Sequence, residues 1–425
     1  MTLCWFAIVR LGLVQMCLGA IVVLTTSTLN RLMVVELALP AVLPGLLVAL
    51  HYGIQITRPN WGFLSDQGGH RSRWIIGGML ALGAGAMGAA LAIPLFESSF
   101  LAGLAASIVA YALIGLGVGA SGTSLLALLA TATAPRRRAA AATITWLMMI
   151  FGIAVTAATV GAFLDPYSHA LLLKIVATVV LSAFLLTCLA VAGIERGVIA
   201  RPEPDAMPFR EGLAEIWAEP KARLFTLFVF LSMTAYFMQE LILEPYAGLV
   251  FGFAPGQSTQ LSGAQNGGVF IGMLLVGIAA TGLRLGTLRA WVIGGCLGSA
   301  LSLTIISVIG PMRIDLLLPA TVLLGFFNGV FAVAAIGSMM ALAGEGRSAR
   351  EGTRMGLWGA AQAIAAGFGG LVGAAAVDIL RQVTDTPLAF GMVFFFEALL
   401  FVAAALMALR IMEGRAIAPA AVPGE

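Results

Sequence analysis

Residues 58–78 read RPNWGFLSDQGGHRSRWIIGG, a polar, glycine-bearing, basic stretch set between two long apolar runs. Each run is long enough to cross a bilayer, so the stretch is a short hairpin on a membrane surface. The rest of the chain agrees. Of its 425 residues 60% are hydrophobic and 10% charged, whereas soluble domains carry about 25% charged residues. Lipid is the solvent of this fold. A net charge of +3, with no basic stripe interleaved with aromatics, excludes a nucleic-acid partner.

Windows of about 19 residues place spans near 10–30, 40–61, 74–95, 101–131, 140–163 and 170–193, then near 223–249, 260–283, 290–310, 316–342, 354–377 and 388–409. Arg10 before the first run resembles a leader peptide. No small-x-small site ends a short run, however, and further spans follow, so it is read as the first helix. The expected divisions are a first six-helix bundle at 1–194, a linker at 195–221, a second bundle at 222–411 and a disordered tail at 412–425. In the linker, Phe209, Leu213, Ile216 and Trp217 follow Pro208 at helical spacing, which predicts an amphipathic helix in the membrane interface or against a partner.

Basic residues set the orientation. With both termini cytoplasmic, nineteen of the 23 Lys and Arg fall inside, and only Arg31, Lys174, Arg313 and Arg381 outside. The arginines at 136–138 and Arg347, Arg350 and Arg354 suit anionic lipid headgroups. The halves also echo one another. Trp74–Gly78 (WIIGG) matches Trp291–Gly295 (WVIGG), Gly115 and Gly119 match Gly325 and Gly329, and Trp146 with Gly161-Ala162 matches Trp358 with Gly373-Ala374. Such order is the trace of a duplicated transporter.

Gly62, Leu64, Asp66, Gly69, Arg71 and Arg73 fit G-x-L-x-D-x-x-G-x-R-x-R. This resembles the loop between helices 2 and 3 of the major facilitator superfamily. The resemblance implies an all-helical membrane fold of two six-helix bundles, and a cytoplasmic latch of Gly62, Asp66, Gly69, Arg71 and Arg73. Gln67 stands where a basic residue is common, and the second half lacks the aspartate. The runs at 29–41, 49–78, 238–253 and 356–370 (LNRLMVVELALPA, ALHYGIQITRPNWGFLSDQGGHRSRWIIGG, MQELILEPYAGLVFGF and GLWGAAQAIAAGFGG) are similar to the bacteriochlorophyll delivery (PucC/LhaA) family. That resemblance implies bacteriochlorophyll as bound ligand and antenna polypeptides of LH1 or LH2 as partners, with the reaction centre-antenna complex or pigment-synthesis enzymes as further ones. It places the chain in the photosynthetic intracytoplasmic membrane. A non-transporting assembly chaperone and an exporter of another small hydrophobic molecule are the alternatives.

Facilitators line their cavity with helices 1, 4, 7 and 10. Here helix 4 offers Ser121, Thr123 and Ser124 and helix 10 offers Asn328 and Ser338, with no charge in the middle of either, so the cavity reads as apolar. His51, near mid-span with Gln55 one turn on, is either an axial ligand for a magnesium tetrapyrrole or a helix-packing histidine. Gln239, Glu240 and Glu244 lie near the outer boundary, where carboxylates could pair with Arg31 and close a periplasmic gate, or be solvated; Glu36 reads the same way. Glu397, central in the last span, should be protonated, paired or facing protein, and is read as a helix or partner contact. Cys4, Cys17, Cys188 and Cys296 are isolated and form no metal or disulfide set. No Walker loop, nucleophile elbow or HExxH is present, which argues against an enzyme.

Overall fold

A computed structural model describes residues 3–58, 61, 70–134, 137–195, 217–283, 285–344 and 351–411. These residues contain no β-strand. The first half comprises α1 (Trp5–Glu36), α2 (Val42–Thr57), α3 (Arg71–Ser98), α4 (Phe100–Ala132), α5 (Arg138–Phe163) and α6 (His169–Val191). The second comprises α7 (Pro220–Phe251), α8 (Pro255–Val276), α9 (Leu288–Ile309), α10 (Leu317–Gly344), α11 (Glu351–Leu380) and α12 (Thr386–Ile411). Eleven are long and apolar enough to span a bilayer, and α2 is the shorter twelfth.

Local chemistry sets the helix ends. Ser99, Ser168 and Thr287 cap α4, α6 and α9, each hydroxyl accepting an amide hydrogen three residues on at 3.4, 3.2 and 3.1 Å. Pro220 and Pro255 open α7 and α8, where a missing N–H costs nothing. Gly252, at φ 73°, ends α7 in the left-handed conformation that glycine adopts freely. Beyond the 3-10 turn Gln55–Thr57 that ends α2, two helices carry wider turns. Wider π turns run through Leu24–Leu29 and Leu32–Glu36 of α1, and through Gly277–Gly282 after α8. They carry α1 past the end expected near residue 30.

Packing repeats with a shift of six helices. In the first half α1 packs on α5 and α6, α3 on α4 and α6, and α2 on α4; in the second α7 packs on α11 and α12, α9 on α10 and α12, and α8 on α10. Each half holds its own large apolar core. The halves meet along two seams related by the same shift, α2 with α11 and α5 with α8. The glycine echoes explain themselves here. A Cβ at Gly78 would strike the α4 backbone at Gly117 and Ser121, and one at Gly295 the α10 backbone at Phe331. Trp146 and Trp358 match in sequence but not in setting: Trp146 packs beside Val269 and Met273 across a seam, whereas Trp358 donates to Thr226 Oγ1 at 3.2 Å inside the second half.

The latch residues Gly62, Asp66 and Gly69, most of the linker helix and the tail from 412 lie outside the described residues. Arg71 and Arg73 stand in the first turn of α3. Arg73 is exposed, while Arg71 is buried and donates to the Ala127 carbonyl of α4 at 3.0 Å. Glu195, counted from sequence into the linker, instead accepts the Arg71 and Ser72 amides at 2.9 and 3.1 Å and caps α3.

Candidate functional site

The last third of α1 is tied to α7 and α8. Asn30 Nδ2 donates to the Leu241 carbonyl at 2.8 Å, Thr28 and Thr259 share a hydroxyl hydrogen bond of 3.3 Å, and Ser27 Oγ donates to the Glu244 carboxyl. Thr26 stands against the Glu240 carboxyl. Gln239 and Glu244 are buried, and Glu244 lies seven residues before the end of α7, roughly 10 Å along the axis. Of the two readings of Glu244, a gate carboxylate or a solvated boundary residue, the solvated one does not hold: it is enclosed between the halves.

Arg31 is also placed differently. It is 2% exposed, and its guanidinium donates to Glu36 Oε1 at 2.5 Å and to the Phe253 carbonyl at 2.8 Å rather than to a carboxylate of α7. The cause is local. A π turn brings residues five apart onto one side, so Arg31 and Glu36 meet within α1. The expectation of an apolar interior, drawn from α4 and α10, omitted what α1 and α7 bring. Half-buried Glu240, Tyr236, Phe237 and Tyr52 lie together near the α2–α7 contact, with Phe237 5.1 Å from Tyr236 and 6.0 Å from Tyr52 between ring centroids.

Two carboxylates cross the seams on this same side. Asp165, after α5, accepts the Gly256 amide hydrogen in the first turn of α8 at 3.0 Å. Asp378, near the end of α11, accepts the Val42 amide hydrogen at the start of α2 at 2.7 Å. Both satisfy amides that a helix start leaves unpaired, and both set negative charge on the positive end of the helix dipole. Sequence reading missed them, although each follows a Gly-Ala pair already noted, at 161–162 and 373–374.

Beside Asp165, the Tyr167 hydroxyl and His169 Nδ1 share a hydrogen bond of 3.0 Å, and His169 Nε2 lies 3.0 Å from Glu97 Oε1. Burial pushes the Tyr167 phenol up to about 12, with Glu36 and then Glu97 adding to the shift and Arg31 opposing it.

The candidate cavity residues do not converge. His51 is 2% exposed, and Gln55 Nε2 donates to its Nε2 at 3.0 Å, while Gln55 Oε1 accepts from Arg58. The other ring nitrogen, Nδ1, is enclosed and has no hydrogen-bond partner among the described residues. Ser121 is buried where α4 meets Gly78 of α3, and Asn328 faces α9, accepting from Ser299 Oγ at 2.8 Å. Thr123 is half-buried, with its hydroxyl enclosed and unpartnered. Of these groups only Asn328 bonds to another helix among the described residues; helix packing, invisible in a span taken alone, decides their direction. Glu397 is 0% exposed within α12, and among the described residues neither carboxyl oxygen has a hydrogen-bond partner. On the outside, Leu318, Pro319, Val322, Leu323 and Phe326 of α10 line an apolar groove of about 490 Å³.

Comparison with known proteins follows the same lines. Residues 28–416 match the family described as PUCC protein. The chain belongs to the PUCC family. Among curated relatives, the PUCC chain is 66% identical over 429 residues to the Rhodobacter capsulatus protein named Bacteriochlorophyll synthase 44.5 kDa chain, with both chains covered in full. It is 29% identical over 395 residues to Protein PucC of Cereibacter sphaeroides, covering 89% of this chain and 84% of that one. Among solved structures it resembles a D-xylose-proton symporter, with a TM-score of 0.74 at 16% identity over 96% of this chain and 98% of the other. A bacterial homologue of the lysosomal transporter Spinster, in an inward-facing and unoccupied conformation, gives 0.68 at 15% identity over 96% of each chain. The fold is therefore of the major facilitator type, in a multi-pass membrane protein.

Proposed function

We propose that this PUCC family member handles bacteriochlorophyll in the photosynthetic inner membrane and passes it to antenna polypeptides of LH1 or LH2, without itself making or breaking the pigment's bonds. The observation that carries this reading is full-length similarity at 66% identity to a relative named for bacteriochlorophyll synthesis, in a fold shared with carriers. The relative's name is that of a synthase chain. On our reading the chain receives pigment from a synthesising partner rather than catalysing synthesis. Both termini face the cytoplasm, where such a partner would dock.

We assign His51 no ligand role, because the Gln55 amide occupies its Nε2 and leaves the ring proton on the enclosed Nδ1. Pigment is held instead by apolar surface. The α10 groove offers a wholly apolar wall to a tetrapyrrole face, at the lipid boundary from which pigment can leave sideways. Bacteriochlorophyll supplies its own strong absorption, and this makes the test direct. Protein purified in mild detergent from pigment-making cells should carry a bacteriochlorophyll band, and Val322→Trp, which fills the groove, should weaken it. A colourless preparation, or pigment esterification by the purified chain alone, would overturn the reading.

A further inference from the structure

We propose that Asp165 and Asp378 form one two-point latch, which holds the two halves together on the side of α1's Glu36 end and must release at both seams for that side to open. The inference rests on the hydrogen bonds and the internal repeat, and is independent of what the protein carries.

Successive spans run in opposite directions, so the ends of α1, α5, α7 and α11 and the starts of α2, α8 and α12 share one membrane face. On that face Asp165 joins α5 to α8 through the Gly256 amide, and Asp378 joins α11 to α2 through the Val42 amide. Each bond runs from the last turn or following loop of one half into the first turn of a helix in the other. The donors are reciprocal: the first half caps a helix of the second, and the second caps a helix of the first.

Small residues flank both bonds and bring the backbones close enough for a short side chain to reach. Gly256 sits against the Gly161 carbonyl and the Asp165 carboxyl, and a Cβ at Gly45 would lie 3.2 Å from the Cβ of Ala374. Rotation of one rigid half against the other separates α5 from α8 and α2 from α11 together. Neither aspartate can then keep its amide. Water replaces the lost bond incompletely at a helix end still flanked by lipid and protein, so each clasp biases the equilibrium towards closure.

Thr28 reports on the state of this face. It is 1% exposed beneath the closed end and bonded to Thr259 of α8. Thr28→Cys, in a background with Cys4, Cys17, Cys188 and Cys296 replaced, should react slowly with a charged, membrane-impermeant thiol reagent. Loss of a capping side chain shifts a helix-end equilibrium by about fivefold. D165A or D378A should thus raise the Thr28→Cys rate about fivefold each, and both together about twenty-five-fold, since well-separated sites add in free energy. D165N and D378N keep an acceptor oxygen, and their smaller increases measure the charge alone; they also serve if the double alanine variant does not fold.

A second cysteine at half-buried Gln15, in the opposite part of α1, separates opening from loosening. Rocking predicts that Gln15→Cys slows as Thr28→Cys quickens. An unchanged Thr28→Cys rate in the folded double variant, or equal acceleration at both positions, would overturn the latch.

Discussion

The Asp378 carboxylate accepts the Val42 amide hydrogen at 2.7 Å, so the second helix of the chain is capped by the eleventh. Removing the carboxylate leaves a helix start unsatisfied at the contact between halves. D378A should lower stability by about 1 kcal/mol, and D165A by a similar amount, read as thermal transitions in detergent. Conformational bias and stability are then measured on the same variants.

Glu397 offers the opposite sign. Its carboxyl is enclosed in α12 with no partner for either oxygen, a placement that costs free energy in any ionisation state. Glu397→Leu should raise stability by about 1–3 kcal/mol, and Glu397→Gln should be close to neutral in the same thermal assay. A stabilised Glu397→Leu protein that no longer supports antenna assembly would show that the enclosed carboxyl serves that function at a cost in stability.

Gln55 links a histidine to an arginine within one helix end. Gln55→Ala strands both partners and should cost about 1–3 kcal/mol. His51→Leu removes a buried polar ring instead, and it should leave the position of the bound-pigment absorption band unchanged. A shifted band would restore the imidazole as a pigment ligand.

The Tyr167 phenol supplies a pH signature. Its folded value of about 12 stands above its ordinary value of 10, so the folded protein keeps this proton when the unfolded chain has begun to lose it. The contribution is whole below pH 10 and is lost as pH rises towards about 12. Stability measured across that range should fall more steeply for the parent protein than for Tyr167→Phe.

Much of the fold is legible in the sequence because lipid imposes a simple rule on each span, and because Gly78 and Gly295 mark the same close helix approach twice. The site is less legible. Ser121 and Asn328 have the right chemistry for a cavity, yet helix rotation turns them onto α3 and α9. Arg31 is drawn to Glu36 by a π turn that no composition signal announces, and Glu244 is drawn inward by Ser27. Asp165 reads as a loop residue and Asp378 as a helix-end residue until the seams are assembled; their partners lie 91 and 336 positions away. Periodicity finds faces, but partners at that separation depend on how the faces meet.

The reciprocal capping also orders the protein's birth. During synthesis α2 enters the membrane early, and its first amide waits through nearly the whole of translation until Asp378, 336 residues later, is made. The first half is therefore finished only by the near-complete second half. A chain truncated before α11 would lack the Asp378 carboxylate and leave the α2 start without this cap.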